Sequence, residues 1–411
     1  MKKISTFFVF SFLFFIACTP HNPRENKNII QDNFDFAAKQ LAFALTQVDS
    51  VLATPQAAER MLVVPRSLDN NGNLRLVASR DWTSGFFPGN LWWMYEFTGD
   101  EKWRNEARRF TAKIEREKYN ATTHDMGFKI FCSFGKGYRL TGDAHYRDVL
   151  LYAARTLITR YNPTVGAIRS WDHSVARHGN FPVIIDNMMN LELLFWAFRE
   201  TGDSIFHNIS VNHARTTIRE HFRDDWGTYH VIGFNPETGE VTARNTHQGH
   251  ANSTTWARGQ AWAIYGFVLM YRETRMPEFL EVAKNAVNMF FTHPNLPEDL
   301  VPFWDFDAPG IPNEPRDVSA AAITASALYE LSTYCVVNGA QYRKWADTLI
   351  ENITNYYRAE VGTTFGFLLL HAVGHLPHGY EIDVPLVYAD YYFLEALIRK
   401  QRLERGENLF R

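Results

Sequence analysis

The segment Tyr95-Glu96-Phe97-Thr98-Gly99-Asp100 returns twice further along the chain, as Tyr138-Arg139-Leu140-Thr141-Gly142-Asp143 and as Phe198-Arg199-Glu200-Thr201-Gly202-Asp203. In each copy the glycine can take the left-handed conformation that closes one helix, and the aspartate can cap the first amides of the next. Each copy is therefore a tight helix-to-helix turn. Tyr271-Arg272-Glu273-Thr274 reads as a worn fourth copy, and Asn338-Gly339 is expected to do the same work near the end. On either side of these joints apolar residues recur at alternating three- and four-residue steps, as in Phe34, Ala38, Leu41, Leu45, Val48 and Leu52, or Trp103, Ala107, Phe110 and Ile114. The same pattern predicts helices near 30–52, 88–97, 101–118, 127–140, 143–161, 185–200, 203–221, 256–274, 277–292, 318–337, 340–358 and 386–402. No comparable set of alternating strands is visible.

The short joints follow every second helix, and the remaining connections (53–87, 119–126, 162–184, 222–255, 293–317 and 359–385) are long. In an up-and-down array all the long connections then share one end. The helices before the short joints are apolar nearly all round, for example Ile184 to Phe198, whereas their partners carry a charged face. That difference separates a buried inner ring from a solvated outer one. The expected fold is all-α, a six-hairpin (α/α)6 barrel spanning 30–411 as a single domain. A helical solenoid is the competing layout, because periodicity does not report closure.

Composition fits a large core. Of 411 residues, 46% are hydrophobic and 15% aromatic against 21% charged, which excludes disorder. The formal net charge of -3 leaves no global basic field to hold a nucleic-acid backbone, so no nucleic-acid partner is expected. Three cysteines, Cys18, Cys132 and Cys335, are too few for a disulfide framework and lack zinc-type spacing.

One of them has a different context. Lys2 and Lys3 precede an apolar run from Phe7 to Ala17, and Cys18 follows directly. The run is too short to span a bilayer permanently. It resembles a bacterial lipoprotein signal, although Phe15 stands where leucine is usual. Residues 1–17 are thus expected to be a cleaved leader, Cys18 the lipidated residue and 18–29 a polar tether. The protein is then exported and anchored to a membrane.

Residues from the long connections and from the starts of the inner helices converge at one mouth, and this is where chemistry is expected. The strings there pair aromatic with polar groups: Asp81-Trp82, His124-Asp125-Met126-Gly127-Phe128, Ser170-Trp171, Ile185-Asp186-Asn187, His247-Gln248-Gly249, Thr255-Trp256-Ala257-Arg258 through Trp262, and Trp304-Asp305-Phe306-Asp307. Indole faces beside amides, carboxylates and guanidinium suit carbohydrate recognition. Asp125 and Asp186 stand out. Either can be only a cap for the helix it precedes, or the two can work as an acid/base pair on a glycoside, with burial raising the pKa of Asp186. The 15 histidines include no His-Glu-x-x-His, and those of the connections are scattered, so no catalytic metal is expected. Gly-x-Ser-x-Gly is absent too.

These strings in this order resemble glycoside hydrolase family 88, the unsaturated glucuronyl hydrolases. The segments that carry the resemblance are DWTSGFFPGNLWW, HDMGF, IDNMMNLELL, STTWARGQAW, FWDFDAPGIPNEPRD and VGHLPHGYEIDVPLVYADYYFLEAL, between Trp82 and Leu397. The resemblance implies a six-hairpin barrel, Asp186 as general acid/base and Asp125 as its assistant. It implies ligand contacts by His124, Trp171, His230, Gln248, Trp256, Arg258 and Trp262, and no cofactor. The implied substrate is a lyase-generated oligosaccharide with a C4=C5 unsaturated uronic acid at its non-reducing end. The related unsaturated rhamnogalacturonyl hydrolases and a glycan-capturing lipoprotein without activity are the alternative readings. His371 to Tyr380 holds three histidines and no lysine or arginine, so no strong demand for a sulfated substrate is implied. A monomer is the default expectation.

Overall fold

The computed structural model describes residues 28–173 and 175–410. Cys18, the leader and nearly all of the tether lie outside the described residues; the tether's last residue, Ile29, already begins a helix. The chain runs through α1 (Ile29–Leu52), α2 (Pro55–Glu59), β1 (Leu62–Leu68), β2 (Leu74–Ala78), α3 (Phe86–Thr98) and α4 (Glu101–Ala112). A π-helical stretch, Gly127–Gly135, leads into α5 (Lys136–Thr141), followed by α6 (Ala144–Ile158), β3 (Tyr161–Asn162), β4 (Ala167–Ile168), α7 (Val175–His178) and β5 (Phe181–Ile184). A 3-10 turn, Ile185–Asn190, opens α8 (Leu191–Thr201), and α9 (Ser204–His221), β6 (Val231–Phe234) and β7 (Val241–Asn245) come next. The remaining helices are α10 (Ala257–Thr274), α11 (Pro277–Thr292), α12 (Val318–Leu331), α13 (Gly339–Asn352) and α14 (Val387–Glu404).

The three Thr-Gly-Asp joints behave as their chemistry requires. Gly99, Gly142 and Gly202 take φ of +68°, +66° and +72°, and each following aspartate accepts a hydrogen bond from an amide of the next helix, at 2.9 Å from Lys102, 3.0 Å from His145 and 3.1 Å from Ile205. In the worn copy Arg275 itself takes the left-handed conformation, at φ +56°. The last joint departs from expectation. α12 ends at Leu331 rather than near 337, and Asn338 makes no side-chain cap, so residues 332–338 form a longer turn.

The ring is closed, which excludes a solenoid. α3 packs on the 127–141 helix, that on the 185–201 segment, and then α10, α12 and α14 follow until α14 returns to α3. α1, α4, α6, α9, α11 and α13 pack outside. Every residue of α12 is buried, while α4 buries only Trp103, Ala107, Phe110 and Thr111. The seam is made by α1, which touches both α3 and α14. There Phe34 stacks flat on Phe97 at 3.8 Å, and the buried Gln40 amide donates to the Phe367 carbonyl at 2.8 Å.

Two features were not legible. The long connections do contain strands: the β1–β2 hairpin, the β3–β4 pair and an antiparallel sheet in the order β5-β6-β7. β5 and β6 are buried on both faces, so they carry no alternation to read. The joint end of the inner ring is also ionic rather than apolar. Arg272 and Arg399 both pair with the wholly buried Glu330, and together with Lys136, Glu192 and Glu395 they line a cavity of about 650 Å3 against Phe410.

Phe34→Ala is expected to lower stability by about 3–5 kcal/mol, because it removes a buried ring at the seam. Chemical denaturation of the two proteins, compared at equal slope, measures it.

Candidate active site

β5 delivers the chain into the 3-10 turn Ile185–Asn190, where Asp186 follows immediately after the last strand residues. Its carboxyl does not cap α8: Oδ2 has no hydrogen-bond partner among the described residues, and the residue is only 7% exposed. Burial pushes its pKa up to about 7, against the pull of His124 and Arg258 in the other direction. Asp125 comes from the preceding connection and is held differently. Thr123 Oγ1 donates to its Oδ2 at 2.5 Å, and His124 Nε2 lies 3.1 Å from Oδ1. Burial alone would raise this carboxyl as well, but His124 and the Thr123 bond outweigh it and hold the pKa below the ordinary value.

Asn190 brings the two carboxylates together. Its Oδ1 accepts from the amides of Gly127 at 2.8 Å and Phe128 at 3.2 Å, clamping the segment just after Asp125 onto the turn that carries Asp186. Residue 127 must be glycine, since a Cβ there would lie 2.7 Å from Asn190 Cα. Asp125 is close enough to add to the upward pressure on Asp186.

His230 precedes β6 and faces the same carboxyl, with Nε2 3.7 Å from Asp186 Oδ2. Its Nδ1 accepts from the amides of His247 and Gln248, both at 3.2 Å. That fixes the tautomer: the proton sits on Nε2, toward Asp186. Desolvation, reinforced by His247, His178 and His375, holds His230 well below the ordinary imidazole pKa, so the ring is neutral. Trp256 packs against it at 4.5 Å, and Trp171 stands edge-on at 6.2 Å. Trp171 reaches the site because residue 171 bridges Thr123, and Ser170 O accepts from the His124 amide.

Arg258, in the first turn of α10, is fully buried. Its Nη1 bonds Asp317 Oδ2 at 2.8 Å and the Val373 carbonyl, and its Nη2 bonds the Gly374 carbonyl at 2.8 Å. Gln248 Nε2 donates to the same Gly374 oxygen at 3.0 Å. These two side chains thus fasten the 371–384 strap over the mouth, and Arg258 Nε remains unpartnered. Trp262 lies deeper, wholly buried between Phe128 and Tyr392.

The structure therefore gathers every expected residue except Cys18 around one end, in different layers. Trp304 and Asp305 pair through their backbone with Trp256 and Ala257, but their side chains hold loops: Asp305 accepts from His250 N and Thr254 Oγ1, and Trp304 Nε1 donates to Glu314. Residues not singled out beforehand also appear. Tyr388, at the start of α14, is buried beside Trp82 and under the Arg258 guanidinium, with its hydroxyl unpartnered. Glu381 ties the strap to the β1–β2 hairpin through Arg66, Ser67 and Arg75. Only pairing across more than 300 residues reveals that tie, so no local pattern announces it.

A buried carboxyl of raised pKa, a second one held ionised, and unpaired polar atoms of His124, His230, Trp262 and Tyr388 around them make a site for a polar, hydroxylated ligand. Comparison with known proteins agrees. Residues 59–295 match the model of Glycosyl Hydrolase Family 88. The chain belongs to that family. Over 388 residues, 94% of each chain, it is 46% identical to an unsaturated glucuronyl hydrolase of Formosa agariphila. An unsaturated chondroitin disaccharide hydrolase of Streptococcus pneumoniae is 31% identical over 79% of this chain and 83% of its own. Among solved structures, an unsaturated glucuronyl hydrolase specific for heparin superimposes with a TM-score of 0.86 at 42% identity, covering 92% of this chain and 98% of that one. This family-88 chain is accordingly a glycoside hydrolase with an (α/α)6 barrel.

The raised pKa of Asp186 has a consequence for stability. From about pH 4 to about 7 the unfolded carboxyl is ionised while the folded one keeps its proton, so ionisation opposes folding as pH rises and levels off above 7. Asp186→Asn, which has no such penalty, is expected to gain on wild type across that window by about 1.4 kcal/mol for each step of one in pH. Melting curves of both proteins from pH 4 to 8 measure the widening gap; a constant gap would contradict the assignment.

Proposed function

We propose that this chain removes the 4,5-unsaturated uronic acid from the non-reducing end of lyase-generated oligosaccharides by hydrating its C4=C5 bond. The observation that carries the reading is Asp186 itself, a buried carboxyl with a pKa of about 7 and an unpaired oxygen. A vinyl-ether carbon is a weak base and needs a positioned acid that still holds its proton near neutrality. Asp186 gives its proton to C4, and positive charge collects at C5 beside the ring oxygen. The carboxylate so formed takes a proton from water as the water oxygen bonds to C5, which restores the acid. The product is a hemiketal; it opens, breaks the bond to the rest of the saccharide and leaves a deoxy keto-uronate. Asp125, ionised beside His124, stabilises the developing positive charge, so neighbouring environments divide acid from anion between two aspartates.

In this reading His124, His230 and Gln248 hold hydroxyls and the uronate carboxylate, Arg258 contributes its field and the strap it fastens, and Trp171, Trp256 and Trp262 supply walls. The names of the relatives, heparin-specific and chondroitin disaccharide hydrolases among them, favour fragments of heparin or chondroitin type over pectin-derived ones. A glycan-capturing role without turnover leaves the elevated acid unexplained.

For localisation we infer export and anchoring through a lipid on Cys18, supported by the apolar run that ends at Ala17. α1 begins at Ile29 on the joint side of the barrel, where Phe34 meets Phe97 near the end of α3.

Asp186→Asn is expected to stay folded and bind substrate while turnover falls by about 100- to 10,000-fold, followed as loss of the ultraviolet absorbance of the conjugated double bond; near-normal turnover would remove Asp186 from its role. Asp125→Asn should also slow the reaction, and full activity with a lowered melting temperature would make Asp125 purely structural. In heavy-oxygen water the label should enter the keto-uronate at C5; label at the anomeric carbon would mean ordinary displacement instead. Cys18→Ala should move the protein from the membrane to the soluble or unprocessed fraction, and unchanged membrane association would refute the anchor.

A further inference from the structure

Three histidines from two separate connections meet at the rim of the mouth. His247 follows β7, and His375 and His378 lie on the 371–384 strap, brought into one hairpin by the backbone bridge between His375 and Tyr380. One ligating nitrogen from each lies within 4.8 Å of the other two. The rings of His375 and His378 stack at 4.0 Å, and His247 stands nearly perpendicular to both, at 4.6 and 4.9 Å.

The second observation is the state of His375. It is 3% exposed, yet neither ring nitrogen has a hydrogen-bond partner among the described residues, and Nδ1 of His247 is buried and unpartnered as well. Polar atoms withdrawn from water without a partner are destabilising, and such groups in native proteins are met by an ordered water, an ion or a ligand. The strap is also preset. Arg258 and Gln248 hold Gly374 immediately before His375, and Glu381, buried by Arg66, Ser67 and Arg75, holds the other side. Glu381 is therefore engaged with the β1–β2 hairpin and Asp383 with His371, and the ligand atoms that cluster are those of the three imidazoles. A three-imidazole set matches Zn2+, Ni2+ or Cu2+ and not Ca2+ or Mg2+, which require oxygen.

We propose that His247, His375 and His378 form a binding site for a divalent transition-metal ion of the zinc class, and that the bound ion competes with the saccharide for the mouth. The competition follows from adjacency. His247 lies 5.2 Å from Trp171, and its amide is bonded to His230, whose other nitrogen faces Asp186. Because the lone pairs of two stacked rings do not converge, His375 and His378 must unstack by side-chain rotation for the three nitrogens to reach the roughly 2.0–2.1 Å that zinc needs. The ion takes no part in hydration; it joins the strap to the β7 connection and narrows the entrance.

The test uses the untagged, chelator-treated full chain. Titration with Co2+ should produce the visible ligand-field bands of a low-coordinate site at one equivalent, and Zn2+ should abolish them. His378→Ala, at an exposed position, and His375→Ala should each weaken Co2+ binding at least tenfold while circular dichroism stays unchanged. With an unsaturated disaccharide, Zn2+ should raise KM with little change in kcat, and a chelator should reverse it. Absence of bands and of calorimetric heat with Zn2+, or equal binding by His378→Ala, would overturn the site. Binding with no change in KM would overturn the competition. The spectroscopic arm does not depend on the proposed hydrolysis, so failure of one reading is distinguishable from failure of the other.

Discussion

A guanidinium removed from water must find an acceptor for nearly every N–H it carries, and in this protein that requirement organises the mouth. Arg258 sits at 0% exposure at the start of α10 and takes its acceptors from Asp317, which opens α12, and from the carbonyls of Val373 and Gly374 on the strap before α14. One side chain thus joins the entrances of three successive inner helices. Its faces are also used, with Trp256 on one ring contact at 4.6 Å and Tyr388 on another at 5.2 Å. Removing one partner of such a buried pair costs about 3–5 kcal/mol, chiefly because the other charge is left stranded. The positive field of the same group reaches Asp186, yet is too weak to undo the effect of burial there.

Asn190 plays the complementary part on the other side of the mouth. By accepting from two consecutive amides it sets the distance between two carboxyls that come from different hairpins. Their environments then diverge. Asp125 has a hydroxyl and an imidazole within reach and stays ionised; Asp186 has neither at bonding distance and keeps its proton. The difference arises from a few local contacts in a shared frame, and no unusual residue type is needed.

How much of this could be read from the sequence depends on how local each determinant is. The Thr-Gly-Asp joints and the helical periodicity are short-range signals, and the helices they predicted all exist, with ends displaced mainly where the chain departs from the motif, as after Leu331. Asp125, Asp186 and Arg258 stood out because they sit at helix starts or in polar-aromatic strings, whereas His230, in loop sequence ahead of β6, was named only by the family resemblance. What stayed hidden was long-range. The buried strands β5 and β6 have no alternating pattern, the histidines at 247, 375 and 378 are scattered until the strap folds back, and Glu381 meets Arg66 across 315 residues. The charged joint end was hidden for a related reason: Glu330 and Arg399 each look like interruptions of an apolar helix until both are seen to share partners.

The seam between α1 and α14 has a consequence for how the molecule is made. α1 is the first helix of the chain to be described and α14 the last, and the Gln40 side chain finds its acceptor 327 residues away. Five hairpins can form as they emerge, each from neighbouring sequence, but the ring has an open side until the final helix is available. Until then the faces of α1, α3 and α12 that α14 covers are unshielded. Local hairpins are fast to form and a closure of this span is slow. Closure of the ring therefore waits on the last helix, and a chain still being synthesised has one side of the barrel open until then.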